Sequence, residues 1–147
     1  MIYLGADHGG FKHKEKLKKF LSEQGYQLTD LGTNNEEASH YPKFALEVAK
    51  KVIEDPNNRG ILLCRNGVGM SVVANKIKGV RAALAWDKQI ARSAREDDSV
   101  NVLCLPADFI SEEQAKEITK TFLDTSFEPE ERYKRRLQEI EDIEKEI

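Results

Sequence analysis

The sequence predicts an α/β fold of the Rossmann-like type, with a five-stranded parallel sheet, helices on both faces and an extra C-terminal helix. Apolar runs typical of strands alternate with amphipathic segments typical of helices along all 147 residues. Two glycine-rich loops, at residues 5–10 and 63–69, each follow an apolar run and precede a helical pattern. Because no linker, repeat or low-complexity tract interrupts the chain, residues 1–147 are expected to form a single domain with one sizeable core.

The first half of the chain is predicted to contain three strands and two helices. Short apolar runs place the strands at residues 1–6, 26–31 and 60–63. A helix over 12–23 is indicated by Leu17, Phe20 and Leu21, which fall on one face with lysines opposite. Pro42 suits the first position of the second helix.

The second half is predicted to add two strands and four helices. Strands are expected at 80–85 and 100–105, and helices at 70–76, after Asp87, from Ser111 to Phe122, and over about 130–147. The last helix has a narrow apolar stripe formed by Leu137, Ile140, Ile143 and Ile147. This stripe could rest on its own subunit or pack across a dimer, and the pattern leaves both open.

The position of the glycine loops follows from the expected strand order. For five strands with right-handed crossovers, the commonest order is the flavodoxin-like 2-1-3-4-5. Strands 1 and 3 are then neighbours, and ligands bind where the strand order reverses between them. The two glycine loops follow these two strands, so we expect them to form one crevice.

Composition excludes several classes of protein. The formal net charge of −3 gives no basic footprint for nucleic acid, and no apolar run is long enough to span a membrane. Two cysteines are too few for a disulfide framework and favour a reducing cytoplasm. Three scattered histidines without a CxxC pair give no metal-ligand spacing, and we expect neither a metal nor another cofactor.

The crevice combines anion-binding backbone with acid/base side chains, which suggests an enzyme acting on a small anionic substrate. Cys64 ends the third strand, where loop amides, a helix N-terminus and Arg65 are expected to lower its pKa. Asp7 and His8 end the first strand; they could be a helix cap and a surface histidine, but His8 is better placed as a donor to substrate. Outside the crevice, Cys104 is expected to pack in the core and His13 to be solvated, whereas His40 could be structural or functional.

The segment 131–136 is locally basic in an acidic protein. Arg132 and Arg136 are four residues apart and share one helical face. They could pair with neighbouring glutamates or act together as a phosphate clamp.

The assembled motifs resemble the ribose-5-phosphate isomerase B / galactose-6-phosphate isomerase family over nearly the whole chain. The resemblance rests on an ordered set of segments: 5–10 with Lys12, 30–33, Tyr41-Pro42, Cys64, 67–69 with Ser71, 74–76, 79–82, 101–103, and the pair Arg132 and Arg136. It implies a homodimer or homotetramer with active sites between subunits, and metal-free interconversion of aldose and ketose phosphates.

The resemblance also implies roles for single residues. Cys64 matches the family's thiol base, and the amides of Gly67, Val68 and Gly69 match donors to an enediolate oxygen. The other matched positions are Asp7 for sugar hydroxyls, Tyr41 at the substrate, and His8, Arg132 and Arg136 for phosphate.

Several positions depart from the family pattern. Asn66 stands where Thr or Ser is usual, Asp97-Asp98 replace the ring-opening His and its following Asn, Asp108 replaces a phosphate-binding Arg, and His40 replaces an Asp. We keep Asn66 and Asp97 as catalytic candidates and Asp98 as a substrate-binding candidate. Added acids disfavour an ordinary anionic substrate, because like charges repel.

Three functional hypotheses remain from the sequence. The first is an aldose–ketose isomerase of a sugar phosphate, with the sugar unassigned. The second is a sugar-phosphate-binding homologue with impaired turnover, and the third is a redox module using Cys64, which has no evident resolving cysteine.

Overall fold

The computed structural model describes residues 1–147 and contains five strands and six helices. The strands are β1 (Ile2–Ala6), β2 (Leu28–Asp30), β3 (Arg59–Cys64), β4 (Ala82–Leu84) and β5 (Val102–Pro106). The helices are α1 (Phe11–Glu23), α2 (Tyr41–Val52), α3 (Val68–Ala74), α4 (Lys88–Asp98), α5 (Glu112–Asp124) and α6 (Glu131–Lys145). Every predicted element is present, and the predicted boundaries are correct to within two or three residues.

Local sequence signals explain where several helices begin. The Asp87 carboxylate accepts a hydrogen bond of 2.9 Å from the Ile90 amide and caps α4. Ser111 and Gln114 form the predicted capping box of α5, in which each side chain accepts from the other residue's amide, at 3.0 and 2.8 Å. These caps satisfy amides that the first turn of a helix leaves unpaired.

All strand pairs are parallel, but the sheet order is β2-β1-β3-β5-β4, so the predicted order of the last two strands was wrong. The physical reason is burial. All five residues of β5 are buried, whereas the three residues of β4 are only half-buried. A strand that is apolar on both faces gains more from a central position, and a short strand suits the edge.

Two helix layers cover the sheet. Helices α1, α4 and α5 pack on one face, where Leu17, Leu21 and Phe122 join a core with residues of β1, β3 and β5. Helices α2 and α3 pack on the other face, where Val48 and Met70 join a second core. Both faces are therefore closed, as a parallel sheet requires.

Helix α6 lies on the surface of its own subunit. The Glu144 carboxylate accepts from the Gly79 amide at 3.0 Å, and the Lys78 ammonium donates to the terminal main-chain oxygen. No residue of α6 is buried, and Ile143 and Ile147 are 60% and 83% exposed. Contact with the same subunit is thus real, but it leaves most of the apolar stripe uncovered.

No helix is both long enough and apolar enough to cross a membrane.

Candidate active site

The two glycine loops meet at the carboxyl edge of the sheet. β1 and β3 are hydrogen-bonded neighbours, with Ala6 opposite Leu63, so both loops leave the sheet side by side. A Cβ on Gly10 would lie 2.6 Å from the main-chain oxygen of Leu63, and one on Gly9 would lie 2.6 Å from Cγ of Arg65. Only glycine permits this approach, and the predicted crevice between the loops is present.

Cys64 ends β3 within this crevice and is 5% exposed. Its Sγ accepts a hydrogen bond of 3.2 Å from the Gly67 amide. Burial raises the pKa of the thiol, and the nearby Asp7 charge adds to the rise, while amides of Met70 and Gly67 oppose it. The prediction of a lowered pKa was therefore wrong, because loss of water outweighs the loop amides.

The loop after Cys64 turns sharply into α3. Gly67 has a left-handed φ of 73°, and the Asn66 side-chain oxygen accepts from the Val68 amide at 3.0 Å. The Gly67 and Val68 amides are thus used within the loop, whereas the Gly69 amide has no partner in the chain. The Tyr41 ring covers Gly69, since a Cβ there would lie 2.5 Å from the ring.

Asp7 and His8 are held in defined orientations at the end of β1. The Asp7 Oδ1 accepts from the amides of Gly9 and Gly10 at 3.0 and 3.2 Å, so one carboxylate oxygen caps the loop. The His8 Nδ1 accepts from the Ser39 amide at 3.1 Å, and the Ser39 hydroxyl accepts from the His8 amide at 3.1 Å. This arrangement puts the proton of a neutral imidazole on Nε2 and leaves it free to donate.

The contact of Ser39 with His8 could not be predicted from the sequence. Ser39 lies 31 residues from His8, in a loop whose course only the tertiary structure determines. Its polar neighbourhood in the segment 32–40 indicated a loop but carried no signal for contact with His8.

A cavity of about 330 Å³ adjoins the crevice. Four basic side chains and two carboxylates line it: His8, Lys12, His13 and Arg65, with Glu36 and Asp108. Lys12 pairs with Glu36 at 3.4 Å, and Arg65 pairs with Asp108 at 3.6 Å. The side chains of both pairs are largely exposed, so each pair contributes little free energy. An anion of higher charge can therefore replace the carboxylates.

Asp97 and Asp98 do not lie in this crevice. They end α4, which starts beyond the carboxyl end of β4 and returns to the amino edge of the sheet. There the Arg81 side chain donates to the main-chain oxygen of Asp98 at 3.0 Å. The Tyr133 hydroxyl of α6 approaches Asp97. Burial raises the pKa of that tyrosine, the Arg132 charge opposes the rise, and the Asp97 carboxylate adds to it.

Arg132 and Arg136 also lie away from the crevice, on the exposed helix α6. Arg132 pairs with Glu130 at 2.9 Å and donates to the Tyr133 hydroxyl at 2.9 Å. Arg136 lies over the ring of the same tyrosine, 6.0 Å from its centre. Within one chain the two arginines therefore contact the acid that precedes their helix and an aromatic ring on it.

The structure also places Cys104, His13 and His40. Cys104 is completely buried in β5, as predicted, and its neighbour in β3 is Leu62 rather than Cys64. His13 was wrongly interpreted as solvated, because its Nε2 donates to the main-chain oxygen of Ile110 at 2.8 Å. His40 is exposed at the start of α2 and its side chain makes no capping bond.

No group of three or more His, Cys, Asp or Glu side chains is arranged to hold a metal ion.

The fold and the crevice define a class: a parallel α/β protein with a buried thiol between two glycine loops and a basic cavity beside it. Residues 2–140 match the family model described as ribose/galactose isomerase. The chain belongs to this family.

Relatives support this assignment along nearly the full length. A probable ribose-5-phosphate isomerase B of Mycoplasma pneumoniae is 41% identical over 128 residues, which cover 86% of this chain and 84% of that protein. A putative sugar phosphate isomerase of Bacillus subtilis, YwlF, is 38% identical over 127 residues, covering 86% and 85%. The structure of ribose-5-phosphate isomerase B from Mycoplasma genitalium with bound ribulose 5-phosphate superposes with a TM-score of 0.95 at 38% identity, covering 99% of this chain and 97% of that one.

Proposed function

We propose that this chain interconverts the aldose and ketose forms of a sugar phosphate, with the Cys64 thiolate as the base. The main support is the position of the Cys64 Sγ. It is buried where the two glycine loops meet and accepts a hydrogen bond of 3.2 Å from the Gly67 amide. The similarity to ribose-5-phosphate isomerases supports ribose 5-phosphate and ribulose 5-phosphate as the first substrates to test.

The chemistry requires a proton to move between adjacent carbons. Sγ takes the proton from the carbon beside the carbonyl, the C–H electron pair forms a C=C bond, and the carbonyl oxygen becomes an enediolate oxygen. The thiol then returns the proton to the former carbonyl carbon, while a proton moves between the two oxygens. Protons and electrons balance in this reaction without a cofactor.

The loop offers one donor to the developing negative charge. The Gly69 amide has no partner in the chain, so it is available to the enediolate oxygen without breaking another bond. Tyr41 covers this turn and would shield it from water. The family resemblance suggested three amides, but those of Gly67 and Val68 already have partners.

The rest of the substrate would extend from this point. The Asp7 oxygen that does not cap the loop can accept from sugar hydroxyls, and the His8 Nε2 can donate to a phosphate in the adjoining cavity. Arg65 and Lys12 can also bind the phosphate, once it displaces the carboxylates with which they form weak pairs.

A complete site would use two copies of the chain. Asp97, Asp98, Arg132 and Arg136 lie at the sheet edge opposite Cys64, so they can reach a crevice only if it belongs to another subunit. The exposed stripe of α6 offers apolar surface for such contact. We therefore infer a homodimer, or a homotetramer built from two such dimers.

Because both cysteines are free, a reducing compartment such as the cytoplasm suits the protein.

A second candidate is a protein that binds a sugar phosphate but turns it over poorly. Its support is the raised pKa of Cys64, which leaves little thiolate at neutral pH, and the carboxylate of Asp97, where the family resemblance implies a histidine.

Exchange of substrate hydrogen with D₂O, followed by NMR, separates the two candidates. Wild-type protein should exchange the hydrogen at the carbon beside the carbonyl of ribulose 5-phosphate. Cys64→Ala should reduce the rate by about 10²–10⁴-fold, the usual contribution of a general base. Cys104→Ala is the matched control, since it removes the other buried thiol and should leave exchange intact.

Two outcomes would contradict the proposal. Undiminished exchange in Cys64→Ala would assign the base to another residue. Tight calorimetric binding of the sugar phosphate without exchange in wild-type protein would favour the second candidate.

A further inference from the structure

Three arginines gather at the amino edge of the sheet, around a cavity of about 370 Å³. Arg59 begins β3, Arg81 precedes β4 and Arg95 lies in the last turns of α4. Residues from separate parts of the chain thus bring three positive charges to one cavity. None of them belongs to the Cys64 crevice.

Main-chain oxygens, rather than carboxylates, hold the three guanidinium groups. Arg95 Nη1 donates to the Val100 oxygen at 2.6 Å, and Arg81 Nη2 donates to the Ser99 oxygen at 3.0 Å. Arg59 Nη1 lies 2.9 and 2.7 Å from the main-chain oxygens of the turn before it. No carboxylate oxygen lies within 4.0 Å of any of the three, although fifteen ion pairs form elsewhere in the chain. Carbonyls orient these groups but do not neutralise them.

The unneutralised charge is also poorly solvated. Arg95 is 5% exposed, and burial together with repulsion from Arg59 and Arg81 lowers its pKa to about 10. Burial and the charge of Arg81 lower the pKa of Arg59 as well. A nearly buried cation normally has an acidic partner, because an unpaired charge is costly away from water. This cluster has none within the chain.

We propose that the cavity between Arg59, Arg81 and Arg95 binds a small phosphate-class anion, either inorganic phosphate or the phosphate group of a metabolite. Guanidinium groups suit tetrahedral oxyanions, since each presents several N–H donors in one plane. The donors not used on carbonyls remain available for such a ligand. Two acids, Asp55 and Glu141, also line the cavity, and they would disfavour a larger polyanion.

This site lies at the opposite edge of the sheet from the Cys64 crevice of the same chain. β3 runs from Arg59 to Cys64, a length of about 17 Å for six residues. A ligand at the arginine cluster would therefore contact the turn around Ser99 and the start of β3, and would stabilise the fold without occupying the crevice of its own chain.

Thermal unfolding of the full chain in phosphate, against chloride of equal ionic strength, tests the proposal. Phosphate should raise the Tm of the wild type, since a ligand that binds only the folded state stabilises it. Arg59→Gln should lose most of this rise and weaken phosphate binding about ten-fold or more at this site. Arg92→Gln is the matched control, because it removes an exposed arginine of α4 outside the cavity and should behave as wild type.

Two further variants separate this site from the crevice and from folding defects. His8→Gln, which alters the crevice, should keep the phosphate-induced rise, and Arg59→Lys should keep much of it by retaining the charge. Arginine Nε–Hε NMR signals should shift for Arg59 and Arg95 on addition of phosphate. A rise that persists when Arg59→Gln is combined with His8→Gln, or one that disappears in His8→Gln alone with no shift of these signals, would overturn the proposal.

Discussion

Replacing Gly67 by alanine should damage the loop that holds Cys64, and the structure gives the size of the effect. Gly67 adopts a left-handed φ of 73°. A Cβ at this position would lie 2.5 Å from Cδ1 of Leu84 and 3.1 Å from the main-chain carbon of Leu105. The first atom can move, but the second belongs to the interior strand β5 and cannot do so without disturbing the sheet.

Gly25 provides a matched comparison. It also has a left-handed φ, 86°, but nothing lies within 4 Å of the position that its Cβ would occupy. Alanine at Gly25 therefore meets only the backbone strain, and alanine at Gly67 meets the same strain together with the collision. The difference between the two variants isolates the packing of the site loop.

The expected magnitudes follow from these terms. Left-handed backbone costs an alanine about 1–2 kcal/mol, and the smaller entropy of its unfolded chain returns about 0.4–1 kcal/mol. Gly25→Ala should therefore destabilise the fold by about 1 kcal/mol. Overpacking adds about 1–3 kcal/mol, so Gly67→Ala should lose about 2–4 kcal/mol in total. For a chain of this size each kcal/mol lowers Tm by about 2–4 °C.

Urea unfolding and isomerase kinetics would measure both consequences. Gly25→Ala should keep full activity, whereas Gly67→Ala should lose about ten-fold or more in kcat, because the Gly69 amide and Sγ would be displaced relative to each other. Equal destabilisation of the two variants, or full activity in a folded Gly67→Ala protein, would contradict this expectation.

Three other perturbations test the electrostatics of the site. Since burial raises the pKa of Cys64, kcat/KM should rise about ten-fold per pH unit through the neutral range and level off only above the ordinary thiol pKa. A pH profile of kcat/KM that is already flat at pH 7 would exclude this thiolate as the base. Asp108→Asn removes the carboxylate 3.6 Å from Arg65, and because exposed pairs contribute about 0–1 kcal/mol, KM should fall by up to about five-fold with kcat unchanged. Asp142→Asn, which breaks an exposed pair of 3.5 Å on α6, is its control and should leave KM unaltered. Asp97→His should increase turnover of the ring form of the sugar phosphate, measured against an open-chain substrate; equal rates for the two proteins would show that ring opening does not depend on this position.

Local signals gave a reliable account of the elements. Strand and helix positions could be predicted because burial on both faces requires continuous apolar runs, and because caps such as Asp87 and Ser111 bond to amides three residues away. The neighbouring positions of β1 and β3, and hence the meeting of the two glycine loops, followed from the handedness of βαβ connections.

Electrostatic properties of the site were less predictable. The sequence places amides and an arginine next to Cys64, which suggested a lowered pKa. How much water the fold removes from Sγ depends on packing by distant segments, and that loss of water reverses the direction.

The fold class could be predicted from the sequence because it depends on the periodicity of apolar residues, and the family because an ordered set of motifs resembles it. The two glycine loops were placed together correctly because each directly follows a strand, and the two strands are neighbours. Three features became visible only in the folded chain: β4 rather than β5 forms the edge of the sheet, Ser39 fixes the His8 tautomer, and Asp97 lies at the sheet edge opposite Cys64. The arginine cluster around Arg95 also became visible only in the folded chain. Each of these depends on contacts between segments far apart in the chain, and burial and charge are properties of that assembled environment.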